Sequence, residues 1–254
     1  MTDTPRGYSR RDWASHPPLI APDYRSTQTR GPTRPLVPLA QSLSELTGPV
    51  FGRESLGALD NDLTRNGRRD GAPPGESPGE PPGESPGEPL GERILVSGQV
   101  TDEAGRPQAN LLVEIWQANA AGRYVHQTDR HDAPLDPNFF GGGRCVTDDA
   151  GVYRFHSVKP GAYPWGNHDN AWRPGHIHFS LFGPSIATRL VTQMYFPGDP
   201  LLDLDPIFLA VPAAARDRLV ARFDISLTEP AFALGYRFDI VLRGPRETPM
   251  ETTA

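Results

Sequence analysis

From residue 93 on, the chain alternates short runs of apolar and β-branched residues with turn sequences. The turns are rich in Gly, Pro and Asp, as at 102–107 and 148–151. Residues 145–147 and 152–158 flank the second turn and are predicted to pair as a hairpin. Only one helix is predicted in this half, near 212–221. The pattern predicts an all-β protein, with an antiparallel β-sandwich core, an irregular N-terminal arm and short helices. The apolar runs are 93–101, 111–117, 145–147, 152–158, 175–182, 190–196 and 236–242.

Two segments before residue 93 have a different character. Residues 1–65 contain repeated prolines, which exclude a long helix, and we interpret them as an arm for subunit contacts. Residues 66–92 contain the octad Pro-Pro-Gly-Glu-Ser-Pro-Gly-Glu at 73–80 and again at 81–88. This Pro/Gly/Glu-rich composition offers almost nothing to bury, so a disordered, solvated insert is predicted. The folded domain is then expected at 93–254.

Composition excludes several classes of function. The 254 residues have a formal net charge of −6 and lack the basic cluster that nucleic-acid binding requires. There is one cysteine, Cys145, which excludes internal disulfides and Cys-based zinc sites. No apolar run approaches the roughly 18–20 residues of a membrane span, and no secretory signal is apparent, so a cytoplasmic location is expected. Asp199, Asp203 and Asp205 have the irregular spacing of a loop rather than of a calcium site.

His176 and His178 flank Ile177 in an apolar run with strand character. Side chains at positions i and i+2 of a strand point to the same face, so both imidazoles share one face and Ile177 points to the other. Two imidazoles placed in this way can hold one metal ion. The pattern by itself fits two polar residues on an exposed strand face equally well.

Two tyrosines and an arginine lie near this strand in the sequence. Tyr163 and Arg173 belong to a connection that three prolines stiffen, and Tyr124 follows the run that ends at residue 117. A buried tyrosine is usually a core residue with a hydrogen-bonded hydroxyl, and each tyrosine taken alone fits that interpretation.

Segments along nearly the whole chain, except 66–92, resemble the protocatechuate 3,4-dioxygenase beta-chain family of intradiol ring-cleavage dioxygenases. The run Trp172-Arg-Pro-Gly-His-Ile-His-Phe and the run Lys159-Pro-Gly-Ala-Tyr-Pro-Trp carry the resemblance most clearly. One departure is His131, which stands where tyrosine is expected. The other matching segments are 16–24, 112–119, 133–139, 143–148, 183–188 and 236–244.

The resemblance implies a ferric ion, Fe(III), with Tyr124 and His176 as equatorial ligands, Tyr163 and His178 as axial ligands, and a hydroxide. Two tyrosinates and a hydroxide neutralise a ferric ion, which makes the site less costly to bury. Arg173 is implied as a catalytic residue beside the iron, together with Tyr163. The residues implied around the substrate are Trp165, Gln193, Tyr195 and Ile207.

The implied reaction is the cleavage of protocatechuate by O₂ to 3-carboxy-cis,cis-muconate, a step of aromatic catabolism in the beta-ketoadipate pathway. The implied partner is an alpha subunit in a hetero-oligomer, with no role for nucleic acid or membrane. One alternative is another catechol: sulfocatechol, catechol or hydroxyquinol. Residues 1–65 are too rich in proline for the helical dimerisation domain of the catechol and hydroxyquinol enzymes. A further alternative, a metal-free β-sandwich binding module, requires the tyrosines and the His-x-His strand to be coincidental.

Overall fold

The described chain is built almost entirely of short strands. The computed structural model describes residues 11–32, 34, 56–66, 87–183 and 189–251. The strands are β1 (Arg93–Thr101), β2 (Leu112–Gln117), β3 (Gly142–Val146), β4 (Val152–Val158), β5 (Tyr163–Pro164), β6 (Trp172–Arg173), β7 (His176–Phe182), β8 (Leu190–Tyr195), β9 (Arg222–Phe223), β10 (Leu234–Arg237) and β11 (Ile240–Val241). The helices are α1 (Thr27–Arg30), α2 (Pro206–Ala210) and α3 (Ala213–Arg216), with 3-10 turns at Trp13–Ser15, Leu202–Leu204 and Asp217–Leu219.

Two sheets carry the fold. One has the strand order β11-β1-β10-β9, and β4 also pairs with β1. The other has the order β3-β2-β7-β8 and is antiparallel throughout. Strands β10 and β11 run parallel to β1, so the first sheet is mixed. The predicted all-β sandwich is confirmed, and the parallel pairs are a feature that the apolar pattern does not reveal.

The hydrophobic core lies between the two sheets. Ile177 and Phe179 of β7 pack in it with Val96 of β1 and Phe155 of β4, all of them fully buried. The rings of Phe155 and Phe179 have centroids 5.9 Å apart. Because alternate residues of β7 enter this core, the side chains of His176 and His178 are directed to the opposite face of the sheet.

The predicted hairpin at 145–158 is wrong. Its turn forms, since the Gly151 N–H donates to the Asp148 carbonyl oxygen at 2.9 Å. The two strands then separate, because β3 pairs with β2 in one sheet and β4 pairs with β1 in the other. The connection therefore crosses between the sheets, which lets both strands place apolar side chains in the shared core.

The helix predicted near 212–221 is shorter than expected. It is α3 followed by the 3-10 turn Asp217–Leu219, and the chain is extended again at Val220, which bridges to Tyr195. Helix α2 is not predicted from the sequence. This helix begins with proline at its first position, and the Asp205 side chain accepts the Ile207 N–H at its N-terminus.

The described part of the arm contributes to this chain's own core. Leu63 is fully buried in the main cluster. Tyr24 packs with Ile207, whereas Trp13, Leu19 and Ile20 are exposed. Residues 67–86 of the predicted insert lie outside the described residues, and the Leu90 N–H after them donates to Asp136 Oδ2 at 2.7 Å. In the described part of the chain, no helix has the length and apolar character to cross a bilayer.

Candidate metal centre

Two histidines and two tyrosines come together beside strand β7. The ring centroids of His176 and His178 are 4.8 Å apart. Tyr163 lies 5.5 Å from His176, and Tyr124 lies 5.4 Å from Tyr163, both measured between ring centroids. Both histidines are buried. The structure therefore does not place them on an exposed strand face.

The backbone after β2 brings Tyr124 to this cluster. Gly122 has φ +80°, and a Cβ atom there would collide with the carbonyl oxygen of Ala162. Only glycine allows so close an approach with this backbone conformation. The Tyr124 N–H donates to Asp129 Oδ2 at 2.8 Å, which fixes the backbone at the tyrosine itself.

His176 presents its Nε2 atom to the cluster. Its Nδ1 lies 2.7 Å from the Pro174 carbonyl oxygen, which can only accept, so Nδ1 carries the proton. Burial holds the pKa of His176 well below its usual value, and the charge of Arg173 lowers it further. The imidazole is therefore neutral, and its Nε2 lone pair can bind a metal ion or accept a hydrogen bond.

His178 is held by two neighbours. Its Nδ1 lies 3.0 Å from Glu251 Oε2, and its ring stacks on Trp116 at 4.7 Å between centroids and an interplanar angle of 3°. Burial alone would raise the pKa of Glu251, but the hydrogen bond with His178 brings that pKa below its usual value. The carboxylate accepts the Nδ1 proton, so Nε2 of His178 is directed to the cluster.

The C-terminal segment carries Glu251 to this position. The Glu251 N–H donates to the Val191 carbonyl oxygen at 2.8 Å, and Thr192 Oγ1 donates to the Pro249 carbonyl oxygen at 2.7 Å. Earlier in the segment, fully buried Glu247 pairs with Arg11 of the N-terminal arm at 2.7 Å. This ion pair joins the N-terminal arm to the C-terminal segment that carries Glu251.

The Tyr124 oxygen lies buried within the cluster. The Tyr124 hydroxyl is buried and has no hydrogen-bond partner of good geometry among the described residues. Burial raises the pKa of Tyr124 well above its usual value, and the neighbouring Tyr163 raises it further. A buried hydroxyl left without a partner is unfavourable unless a cation compensates it. Two phenolic oxygens with two imidazoles suit a hard, highly charged ion such as ferric iron.

Arg173 lies on β6 directly opposite Tyr163 of β5 and is buried. Its Nη1 lies 3.0 Å from His176 Nε2 and 3.4 Å from the Tyr163 hydroxyl. Its Nη2 donates to Gln193 Oε1 at 2.6 Å. The guanidinium therefore places a fixed positive charge beside the candidate ligand atoms.

A cavity of about 640 Å³ opens in front of the cluster. Trp165 lines it together with Tyr124, Tyr163 and His178, and so does His131. Gln193, Tyr195 and Ile207 instead surround a second cavity of about 10 Å³. The structure thus places Trp165 in the open cavity, and it places Gln193 and Tyr195 against Arg173 behind the cluster.

Comparison with known proteins identifies the family. Residues 80–244 match the family model described as Dioxygenase, and residues 9–42 match the model for the Protocatechuate 3,4-dioxygenase beta subunit N terminal. A protocatechuate 3,4-dioxygenase beta chain from Burkholderia cepacia is 61% identical over 249 residues, which are 98% of this chain and 99% of that protein. The chain belongs to the protocatechuate 3,4-dioxygenase beta-chain family. The resemblance stated from the sequence is confirmed, and so is the enzyme class, an intradiol ring-cleavage oxidoreductase.

More distant relatives include the other subunit type. A protocatechuate 3,4-dioxygenase alpha chain from Burkholderia cepacia is 32% identical over 160 residues, which are 62% of this chain and 75% of that protein. Among solved structures, hydroxyquinol 1,2-dioxygenase from Pseudomonas putida DLL-E4 has a TM-score of 0.48 and 25% identity. That comparison covers 64% of this chain and 58% of the other.

Three residues that the sequence pattern does not indicate hold His178 and Arg173 in place. They are Trp116 and Glu251, which contact His178, and Asp205, which pairs with Arg173 at 2.9 Å. Glu251 is 73 positions from its histidine, so no local pattern could join them. In the sequence, Asp205 is one of three acidic residues with the irregular spacing of a loop, and this spacing gives no sign of its pairing with Arg173.

Replacing Glu251 with glutamine is expected to weaken iron binding about 10- to 100-fold, because an amide holds the His178 ring and its proton less firmly than a carboxylate. Chelator competition on the purified, iron-loaded protein measures this change. Glu229→Gln is the matched control, since Glu229 Oε2 pairs with His156 Nε2 at 3.0 Å away from the cluster. Equal iron affinity in both variants would contradict the positioning role of Glu251.

Proposed function

We propose that this chain is the catalytic, iron-bearing beta subunit of an enzyme that cleaves protocatechuate with O₂ to 3-carboxy-cis,cis-muconate. The substrate assignment rests on the 61% identity, over 98% of this chain, to a protocatechuate 3,4-dioxygenase beta chain. The cluster of two tyrosines and two histidines beside Arg173 supports the reaction type. The product belongs to aromatic catabolism through the beta-ketoadipate pathway.

The proposed cofactor is Fe(III), held by Tyr124, Tyr163, His176 and His178. The donor set supports this choice, because two phenolic oxygens and two imidazoles form a group of four around one point. Among the described residues, His, Cys, Asp and Glu side chains alone form no group of three or more that could hold a metal. When bound, ferric iron would make a chelated catecholate reactive toward O₂ by coupling it to a redox-active metal.

The chain's own residues would orient the substrate and move its protons. Tyr163 lines the open cavity, and its oxygen lies 3.4 Å from Arg173 Nη1. Burial raises the pKa of Tyr163, so its oxygen would act as a base only as a metal-held tyrosinate, and in that form it could accept a proton from a catechol hydroxyl. Arg173 can stabilise negative charge that develops on the substrate oxygens, since its guanidinium is already fixed and desolvated. The indole rings of Trp116 and Trp165 supply apolar walls to the cavity, against which an aromatic substrate could pack.

The proposed partner is the alpha subunit of the same enzyme. Relatives of both subunit types exist in one organism, and this chain is similar to both. The described arm exposes Trp13 by 62%, Leu19 by 45% and Ile20 by 42%, an apolar surface suited to a subunit contact. The open side of the cavity is the second region that a partner would cover.

Oxygen uptake by the chain co-expressed with its alpha subunit tests the proposal. We expect a red-brown complex, coloured by tyrosinate-to-iron charge transfer, whose kcat/KM for protocatechuate exceeds that for catechol, hydroxyquinol and sulfocatechol by more than about tenfold. The chain expressed alone is expected to be poorly soluble or weakly active. A preference for sulfocatechol would show that sulfocatechol, not protocatechuate, is the substrate. A colourless, inactive complex would favour a metal-free binding module.

A further inference from the structure

We propose that Asp205 is a positioning residue that fixes Arg173 beside the iron ligands. The proposal rests on the proposed function, because it concerns the same site, but it assigns a role to a residue outside the ligand set and outside the open cavity. Asp205 is fully buried, and its Oδ2 lies 2.9 Å from Arg173 Nη2. An isolated carboxylate at this depth would be strongly unfavourable, so the ion pair is a defined feature of the site.

Both oxygens of the carboxylate are held in place. Oδ1 accepts the Ile207 N–H at 3.1 Å, which caps the first turn of α2. Oδ2 lies 3.3 Å from the Tyr195 hydroxyl in addition to Arg173. Because Pro206 follows directly and begins the helix, the backbone at Asp205 has little freedom. The carboxylate therefore acts as a rigid acceptor rather than a flexible surface acid.

The pairing controls the direction of the other guanidinium nitrogen. Nη2 has three acceptors around it, namely Asp205 Oδ2, Gln193 Oε1 and the Tyr195 hydroxyl at 3.1 Å. A guanidinium is planar and rigid, so holding Nη2 also fixes Nη1. That nitrogen is the one 3.0 Å from His176 Nε2 and 3.4 Å from the Tyr163 hydroxyl.

Asp205 differs from the other two acceptors because it carries a formal charge. Gln193 and Tyr195 can orient the guanidinium, but they cannot neutralise it. With Asp205 ionised, Arg173 can remain buried near the ligands while part of its charge is balanced from behind. Removing the carboxylate would leave the buried guanidinium without the ion-pair partner of its Nη2 atom, and Nη1 would then be less firmly held beside His176 and Tyr163.

The test compares Asp205→Asn with the wild type in the co-expressed alpha–beta complex. Asparagine can still cap α2 but carries no charge. We expect iron content to stay within about twofold of the wild type, the visible charge-transfer band to shift, and kcat to fall about 10- to 100-fold. A change mainly in kcat rather than KM is expected, since Arg173 acts on the reacting oxygens.

Asp102→Asn is the matched control. Asp102 is also a buried acid that accepts backbone N–H groups, from Ala104 at 2.9 Å and Arg106 at 3.0 Å, and pairs with the Arg106 side chain at 2.7 Å. It lies in the turn after β1, away from the cluster. This variant is expected to lower Tm while leaving kcat and the visible band unchanged.

Asp205→Ser is a second variant in case asparagine prevents folding, because serine still caps a helix but is too short to pair with Arg173. Wild-type kcat and an unshifted band in either folded Asp205 variant would overturn the proposal. The proposal would also be overturned if Asp205→Asn lowered Tm alone, which is the effect expected of the Asp102→Asn control. A wild-type complex that holds no iron or takes up no oxygen would instead overturn the proposed function, so the two failures are distinguishable.

Discussion

Replacing His178 with alanine is expected to remove iron and activity from the alpha–beta complex. The ring is stacked on Trp116 and hydrogen-bonded to Glu251 through Nδ1, so its Nε2 atom is held toward the cluster, where we propose that it binds iron. Losing this ligand should weaken iron binding by at least the roughly 10- to 100-fold that the loss of an outer partner causes. The measurements are iron per complex, the visible band and oxygen uptake. His176→Ala is expected to behave in the same way.

His168→Ala is the control for this experiment. His168 is exposed, and its Nδ1 lies 2.9 Å from the Asp169 carbonyl oxygen in the loop between β5 and β6. The variant removes an imidazole without touching the cluster, so iron content and activity should match the wild type. An iron-loaded, active His178→Ala complex would contradict the ligand assignment and leave the fold unaffected.

The strand pattern predicts part of this site because β7 obeys the period of two. Ile177 and Phe179 enter the core, and the two histidines share the opposite face, as the alternation requires. Their burial is not predictable in this way. It depends on Trp116 from β2 and on the tail that carries Glu251, and both reach the histidines only through tertiary packing.

The failed hairpin shows the same limit. The turn at 148–151 is correctly recognised, but a turn does not determine whether its flanking strands stay in one sheet. Strand β4 finds a longer partner in β1, with seven paired positions from Arg93 to Gln99. Pairing over long sequence separations decided the topology, and no local sequence pattern reports it.

The sequence indicates some of the residues around Arg173 but not where they lie relative to its guanidinium. The family resemblance names Gln193 and Tyr195 near the substrate, whereas the structure places both against the guanidinium. Asp205 completes that group, although its position in the sequence indicated a loop acid. A buried ion pair between residues 32 positions apart requires the sheet and the helix α2 to be assembled first.

Replacing Tyr163 with phenylalanine is expected to slow the reaction far more than it lowers the iron content. Phenylalanine keeps the ring that packs edge-on against Tyr124, so the pocket should retain its shape. It removes the oxygen that lies 3.4 Å from both Arg173 Nη1 and His176 Nε2. If that oxygen accepts the catechol proton, kcat/KM should fall by about 10²- to 10⁴-fold. Three ligands remain, so part of the iron should be retained and the visible band should shift.

Tyr236→Phe is the matched control, because Tyr236 is a buried tyrosine on β10 whose ring packs against Phe196 in the main core. It should leave the band and kcat/KM unchanged. Stopped-flow binding of protocatechuate separates the two roles of Tyr163. If Tyr163 is both a ligand and the base, its replacement should slow the spectral change on substrate binding and also slow turnover. If Tyr163 is a ligand only, its replacement should alter the band without slowing substrate binding. Full activity in Tyr163→Phe would contradict both roles, and proton transfer would then have to be assigned to another group in the cavity.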